Sequence, residues 1–386
     1  MSVVAAKGFR AAGVSAGLKA SGGRDVALVV NDGPSEVAAA VFTRNRIQAA
    51  PVLWSRRAVA DGRVRAVVLN SGGANACTGP DGFADTHRTA EHVAAVLGIG
   101  AGDVVVCSTG LIGERLPLDK VLAGAAHAAA GLAADPAAGS DAADAVRTTD
   151  TVAKQAARTH DDGWTVGGMA KGAGMLAPSL ATMLSVVTTD AVLDAATADA
   201  ALRRAVAVSF ERVDSDGATS TNDTVVLLAS GASGVSPEPA AFAALLTDVT
   251  RDLARQLVAD AEGATKEVTI DVVSAASEAD AVEVGRAIAR DNLVKTALFG
   301  SDPNWGRIIA AVGVTAAAFE PDEVDVAING VTVCRGGAPG EPRDTVDMTG
   351  RDVHIVVDLH AGVHTATIWT NDLSHAYVHE NSAYSS

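Results

Sequence analysis

The sequence predicts an α/β fold, and three observations carry that expectation. Short Val-rich runs recur between turn formers at Val26–Val30, Arg65–Leu69, Val104–Cys107 and Thr224–Leu228, the lengths and residue types of buried strands. Helical stretches lie between them, from Pro117 to Leu132 and from Pro239 to Ala259. The second sets Phe242, Leu245, Leu246, Val249, Leu253 and Leu257 at three- and four-residue spacing, which gathers them on one helix face. Finally, the 386 residues are 48% hydrophobic but only 3% aromatic, with 38 glycines. A core built from Ala and Val suits closely stacked sheets covered by helices.

Further along, the Ala-, Asp- and Gly-rich segment from Ala133 to Ala145 reads as a surface connection. The length allows two or three domains, and a boundary is expected around Ser274–Asp280, after which Val282–Ala289 reads as a helix. Val353–Leu359 and Val363–Ile368 alternate about Ala361-Gly362 and read as a hairpin.

Charge and cysteine usage narrow the function classes. Thirty basic residues against 46 acidic ones give a net charge of −16, which repels phosphate backbones and argues against a nucleic-acid partner. Cys77, Cys107 and Cys334 show no CxxC spacing, so neither a disulfide framework nor a zinc ribbon is expected, and a reducing cytoplasm is. Met1–Arg10 has no apolar signal region, and no run of about 18 apolar residues occurs, so no membrane partner is expected.

The segment Lys171-Gly172-Ala173-Gly174-Met175-Leu176-Ala177-Pro178-Ser179-Leu180-Ala181-Thr182-Met183-Leu184 carries the chemistry. A threonine hydroxyl is a weak nucleophile without a base beside it. Cutting the chain at Ala181–Thr182 would give Thr182 its own α-amine as that base, a group with an ordinary pKa of about 7.7–8. A second segment, Cys107-Ser108-Thr109-Gly110-Leu111-Ile112-Gly113, follows a Val-rich strand. Backbone N–H groups at such a strand-to-helix turn can hold developing negative charge.

These segments resemble those of the ornithine acetyltransferase (glutamate N-acetyltransferase) family, which self-cleave within K-G-x-G-M-x-x-P-x-x-A-T-M-L, and similar segments run from Gly8 to Ser386. The resemblance implies a layered sandwich of sheets and helices like that of N-terminal-nucleophile hydrolases, with a smaller C-terminal α/β domain. It implies an α chain of residues 1–181 and a β chain of residues 182–386, with a catalytic core over about 1–278 and the smaller domain over about 279–386. An α2β2 assembly is the family expectation. Thr182 is the implied nucleophile, and the Thr109 hydroxyl and Gly110 N–H the implied oxyanion hole. Thr148 of T-T-D-T, Lys171, Glu262 of E-G-A-T-K, Asn381 and the terminal Ser386 are implied substrate contacts. Lys171 suits a carboxylate and Glu262 an ammonium group. The implied reaction moves acetyl from N-acetylornithine to glutamate with no cofactor and no metal. Some members also accept acetyl-CoA, so acetyl-CoA is a second candidate donor, and a self-processing aminopeptidase or amidase is the rival reading.

Two departures from the family pattern stand at Asn371, commonly Cys, and Glu380, commonly aliphatic. Thr221-Asn222-Asp223-Thr224 and Asp302-Pro303-Asn304-Trp305-Gly306-Arg307 also fit the family; both read as structural, with support of the site open to Asn222 and Arg307. Gly13-Val14-Ser15-Ala16-Gly17 lacks the strand and helix that a nucleophile elbow needs, and Gly98-Ile99-Gly100-Ala101-Gly102 is a loop. His354, His360, His364, His375 and His379 cluster late and read as surface or hairpin residues, not as zinc ligands.

Overall fold

The computed structural model describes residues 2–177 and 183–383. Ala181, Thr182 and Ser386 lie outside the described residues. The chain divides into two compact units, one reaching Glu211 and including Ala218–Leu257, the other formed by Arg212–Gly217 and the chain from Val258 onward.

In the first unit β1 (Phe9–Val14), β2 (Val26–Asn31) and β3 (Val37–Phe42) precede α1 (Ala50–Ala58), β4 (Ala66–Ser71), α2 (Gly79–Leu97) and β5 (Val104–Thr109). Next come α3 (Leu118–Ala130), α4 (Pro136–Ala145), β6 (Lys154–Thr159), β7 (Thr165–Lys171) and β8 (Leu184–Thr189). The unit ends with α5 (Ala195–Ala207), β9 (Thr224–Ala229) and most of α6 (Pro239–Ala259).

Two sheets form here, with strand orders β1-β2-β4-β5 and β3-β9-β8-β7-β6. Their facing sides share one core, in which Ala27, Val29, Val67, Leu69, Val105 and Cys107 of the first meet Leu184, Val186, Val226 and Leu228 of the second. The first sheet's opposite face packs Val26, Leu28, Val68 and Val106 against Ala90 and Val93 of α2 and Ala125 and Ala128 of α3. On the second sheet, Leu253 of α6 sits 3.2 Å from where a Cβ on Gly168 would be. Because both faces are covered, β2, β4, β5, β8 and β9 are buried at every position, which is why their sequences lack a strict apolar–polar alternation. The layered α/β sandwich expected from the sequence is thus observed.

The segment expected as a surface connection contains α4 and is corrected. Asp135 caps this helix by accepting the Ala138 N–H, with Pro136 at its first turn, a strong start signal. Ala142, Ala143 and Ala145 enter the core. Small side chains there mean close packing, not exposure.

The second unit is a smaller α/β body: β10 (Glu267–Ala275), α7 (Glu278–Arg290), α8 (Asn292–Phe299), α9 (Trp305–Val312), β11 (Asp325–Ile328), β12 (Val331–Arg335), β13 (Ala338–Pro339), β14 (Asp352–Asp358), β15 (His364–Asn371) and α10 (His375–Ala383). Its sheet runs β13-β12-β11-β14-β10-β15. The expected hairpin of Val353–Leu359 with Val363–Ile368 does not form. β10 lies between them, parallel to β14 and antiparallel to β15. Since β10 anchors this sheet, the units part at Leu257 and Val258, ahead of the boundary expected near residue 278.

Candidate active site

In the first unit the motif residues converge at strand ends. β7 pairs antiparallel with β8, setting Lys171 opposite Leu184, and β8 pairs parallel with β9, setting Leu184 opposite Thr224. β8 therefore begins two residues past Thr182, beside Lys171. Thr109 closes β5 in the other sheet.

Lys171 bridges the two. The residue is 1% exposed, and its ammonium donates to Thr109 Oγ1 at 3.0 Å and to Thr148 Oγ1 at 2.9 Å. A lysine only donates, so each hydroxyl accepts here and keeps its own proton for another acceptor. The Thr109 O–H is thereby poised as a donor, as an oxyanion hole needs.

The ammonium's charge is balanced from one side. Asp150 Oδ1 accepts from Lys154 Nζ at 2.6 Å and from the Gly172 N–H at 2.6 Å, while its Oδ2 accepts the Thr148 N–H at 3.0 Å. Burial alone would raise this carboxyl. The ammonium groups of Lys171 and Lys154, with those hydrogen bonds, outweigh burial and hold it down at about 2. Asp150 also ties the T-T-D-T turn to the end of β7, fixing Thr148 against Lys171.

The turn after β5 is laced to the end of β4. The Gly73 N–H donates to Thr109 O at 3.0 Å, and the Ala74 N–H to Leu111 O at 2.9 Å. Gly110 has φ +132°, and a Cβ there would fall 2.4 Å from Gly73 N. Only glycine fits that approach. Asn222 Nδ2 donates to Ala74 O at 2.6 Å and Ser108 O at 2.8 Å, so the T-N-D-T segment supports this turn, as was open for Asn222. The nearby Cys107 thiol is pushed up to about 12 by burial and is no rival nucleophile.

Asp223, beside Asn222, is fully buried. Its Oδ1 accepts the Met183 N–H at 2.9 Å, and burial holds the carboxyl well above the usual range. Thr224 N–H in turn donates to Met183 O at 3.0 Å. The residue after Thr182 is thus held at both its amide and its carbonyl.

In the second unit, Asn381 Nδ2 donates to Glu262 Oε2 at 2.8 Å, joining two of the sequence-predicted contacts. A Cβ on Gly263 (φ +64°) would fall 2.2 Å from Tyr377 N, so glycine lets α10 approach the E-G-A-T-K segment. Asp372 accepts the Thr265 N–H at 2.8 Å and the Lys266 N–H at 2.9 Å. Asn371, the departure from Cys, is buried and accepts through Oδ1 from Ser215 Oγ at 2.8 Å and Lys295 Nζ at 3.0 Å. Glu380 is exposed. Arg307 Nη1 donates to Leu293 O at 2.6 Å, and Asn304 caps α9. His354 meets Asp271 at 2.7 Å and His360 meets Asp325 at 3.3 Å.

Sequence reasoning missed Asp150, Lys154 and Asp223. The first and last lie inside motifs already noted, T-T-D-T and T-N-D-T, but nothing in the sequence distinguishes a buried acid from an ordinary turn former.

Comparison with known proteins gives the family. The model of the ArgJ family matches residues 10–386. The curated protein "Arginine biosynthesis bifunctional protein ArgJ" of Thermobifida fusca is 65% identical over the full length of both chains. Its namesake in Streptomyces coelicolor is 64% identical, again over all of both. A solved structure described as ornithine acetyltransferase complexed with ornithine, from Mycobacterium tuberculosis, is 63% identical. It covers 46% of this chain and 95% of that one, with a TM-score of 0.46.

Proposed function

This chain belongs to the ArgJ family, and from that premise we propose that it is an acetyltransferase of arginine biosynthesis that moves the acetyl group of N2-acetyl-L-ornithine to L-glutamate through Thr182. The observation that carries the reading is the Lys171 bridge between Thr109 and Thr148, at the strand end across from Leu184.

Thr182 Oγ first attacks the Ala181 carbonyl, the C–N bond breaks, and water opens the resulting ester. Residues 1–181 and 182–386 become α and β chains. The freed Thr182 amine then takes the proton of its own hydroxyl, and that hydroxyl attacks the acetyl carbonyl. The negative oxygen is received by the Thr109 O–H, oriented by Lys171, and by the Gly110 N–H. Ornithine leaves as an amine, glutamate enters, and its amine takes the acetyl group from Thr182. Thr148, Lys171, Glu262, Asn381 and Ser386 keep the substrate-contact roles that the resemblance gives them. The description of the relatives as bifunctional supports acetyl-CoA as a second donor. Action in the cytoplasm and an α2β2 assembly complete the reading. Among the described residues no helix is long and apolar enough to cross a membrane.

Intact-mass spectrometry with an acetyl-transfer assay tests this. The wild type should give two chains parting at Ala181–Thr182 and parallel double-reciprocal lines, because an acetyl-enzyme intervenes. Thr182→Ala should give one uncut chain near 38.7 kDa and no transfer. An active wild type that is uncut, or a Thr182→Ala protein cut at the same bond, refutes the proposal.

A further inference from the structure

Asp223 is used by the fold through only one of its oxygens. Oδ1 takes the Met183 N–H, whereas Oδ2 is buried with no hydrogen-bond partner. Of the neighbouring hydroxyls, Thr43 Oγ1 gives its proton to Ser220 O at 2.7 Å, and Ser220 Oγ receives the Asn222 N–H at 3.1 Å. An orphaned carboxyl oxygen carries a full desolvation cost, and such groups in native proteins call for an explanation. Its position supplies one. Oδ1 already holds, at 2.9 Å, the N–H of Met183, the residue that directly follows Thr182 in the chain.

Resting on the reading of Thr182 as the self-cleaving nucleophile, we infer that Asp223 moves the proton in that cleavage, giving one from Oδ2 to the Thr182 nitrogen as the Ala181–Thr182 bond breaks. The balance closes. Thr182 Oγ bonds to the Ala181 carbonyl carbon, the C–N electron pair goes to nitrogen, and Asp223 protonates that nitrogen. The Thr182 hydroxyl proton then restores the carboxyl. Without such a donor the nitrogen would have to leave as an amide anion. Burial supports the role, because it keeps the carboxyl in its acid form, against the opposing charge of Lys171 and the dipoles of Met183 N–H, Ser220 and Thr43.

The test follows cutting of freshly made full-length chain by intact mass. Asp223→Asn keeps an oxygen for the Met183 N–H but has no acidic proton, and its cutting should slow at least ~100-fold, the scale of a lost general acid. Its near-UV circular dichroism and melting should match those of uncut Thr182→Ala. The wild-type rate should fall as rising pH ionises Asp223, and the variant should show no such limb. Asp223→Asn that is cut at the wild-type rate overturns this inference while leaving Thr182 as nucleophile. A wild-type chain that is never cut overturns both. Slow cutting with a misfolded spectrum, or with the wild-type pH limb retained, assigns Asp223 to the fold and overturns the inference as well.

Discussion

Replacing Asp150 by Asn tests whether charge balance holds the site together. Asp150 is buried, and the partner it binds most directly, Lys154, has a side chain at 0% exposure. The carboxyl's fall from 3.8 to about 2 corresponds to about 2 kcal/mol at neutral pH, at about 1.4 kcal/mol per unit. Asn keeps an oxygen for the Gly172 N–H but removes the carboxylate charge that Lys154 Nζ meets at 2.6 Å. Stranding a buried charge costs about 3–5 kcal/mol, so the loss should lie between those figures. Because the folded-state pKa is depressed, the contribution is complete above about pH 4 and disappears as pH falls toward 2; roughly half is gone at pH 3. The assay is urea unfolding of Asp150→Asn made in the Thr182→Ala background, where one polypeptide unfolds as a single molecule. The gap to the Asp150 parent should be about 2–5 kcal/mol at pH 7 and should narrow between pH 4 and 3. A gap below about 1 kcal/mol, or one that is constant with pH, would refute the reasoning.

Two further outcomes are expected. Thr109→Ala removes an oxyanion donor while Lys171 keeps Thr148, so kcat should drop about 10²–10³-fold with little change in KM, and Thr109→Ser should restore it; an unchanged kcat removes Thr109 from the mechanism. In the second unit, burial lifts Asp214 to about 6 despite the offsetting charge of Arg290, whose Nε donates to it at 2.6 Å. A raised carboxyl makes the folded state the better proton binder, so its stability contribution is lost as pH climbs from about 4 through 6. Asp214→Asn should gain about 3 kcal/mol on the wild type across that window, read from paired urea titrations, and a pH-independent difference would contradict it.

The strands and long helices were legible because their signals are local. Val26–Val30 and Pro239–Ala259 declare themselves by residue type and spacing. The misreadings at Ala133–Ala145 and at the terminal strands arose where the deciding contact is distant. Alternation in Val353–Leu359 tells which side chains face the core, since they repeat every second residue. It does not tell which strand lies alongside, and β10 arrives there from the far side of three helices. In α4, alanine suits both a loosely held loop and a tightly packed helix, and the Asp135-Pro136 start was the discriminating cue. At the site, Thr109, Gly110 and Lys171 stood out because they sit in extended motifs. Asp150 and Asp223 did not, since their importance comes from burial and from which ammonium group lies nearby.

Those two acids show why the placement of charge matters more than its presence. Both are buried, yet the ammonium groups of Lys171 and Lys154 outweigh burial and lower Asp150, whereas at Asp223 burial outweighs Lys171 and the hydrogen bonds and raises the carboxyl. Pushing two carboxyls apart in this way assigns them separate duties. The Lys171 ammonium, 3.0 Å from Thr109 Oγ1, favours a negative oxygen forming near that hydroxyl, and it acts strongly because little solvent screens it. A carboxyl at Asp223 that burial raises opposes that effect less than an ordinary carboxylate would.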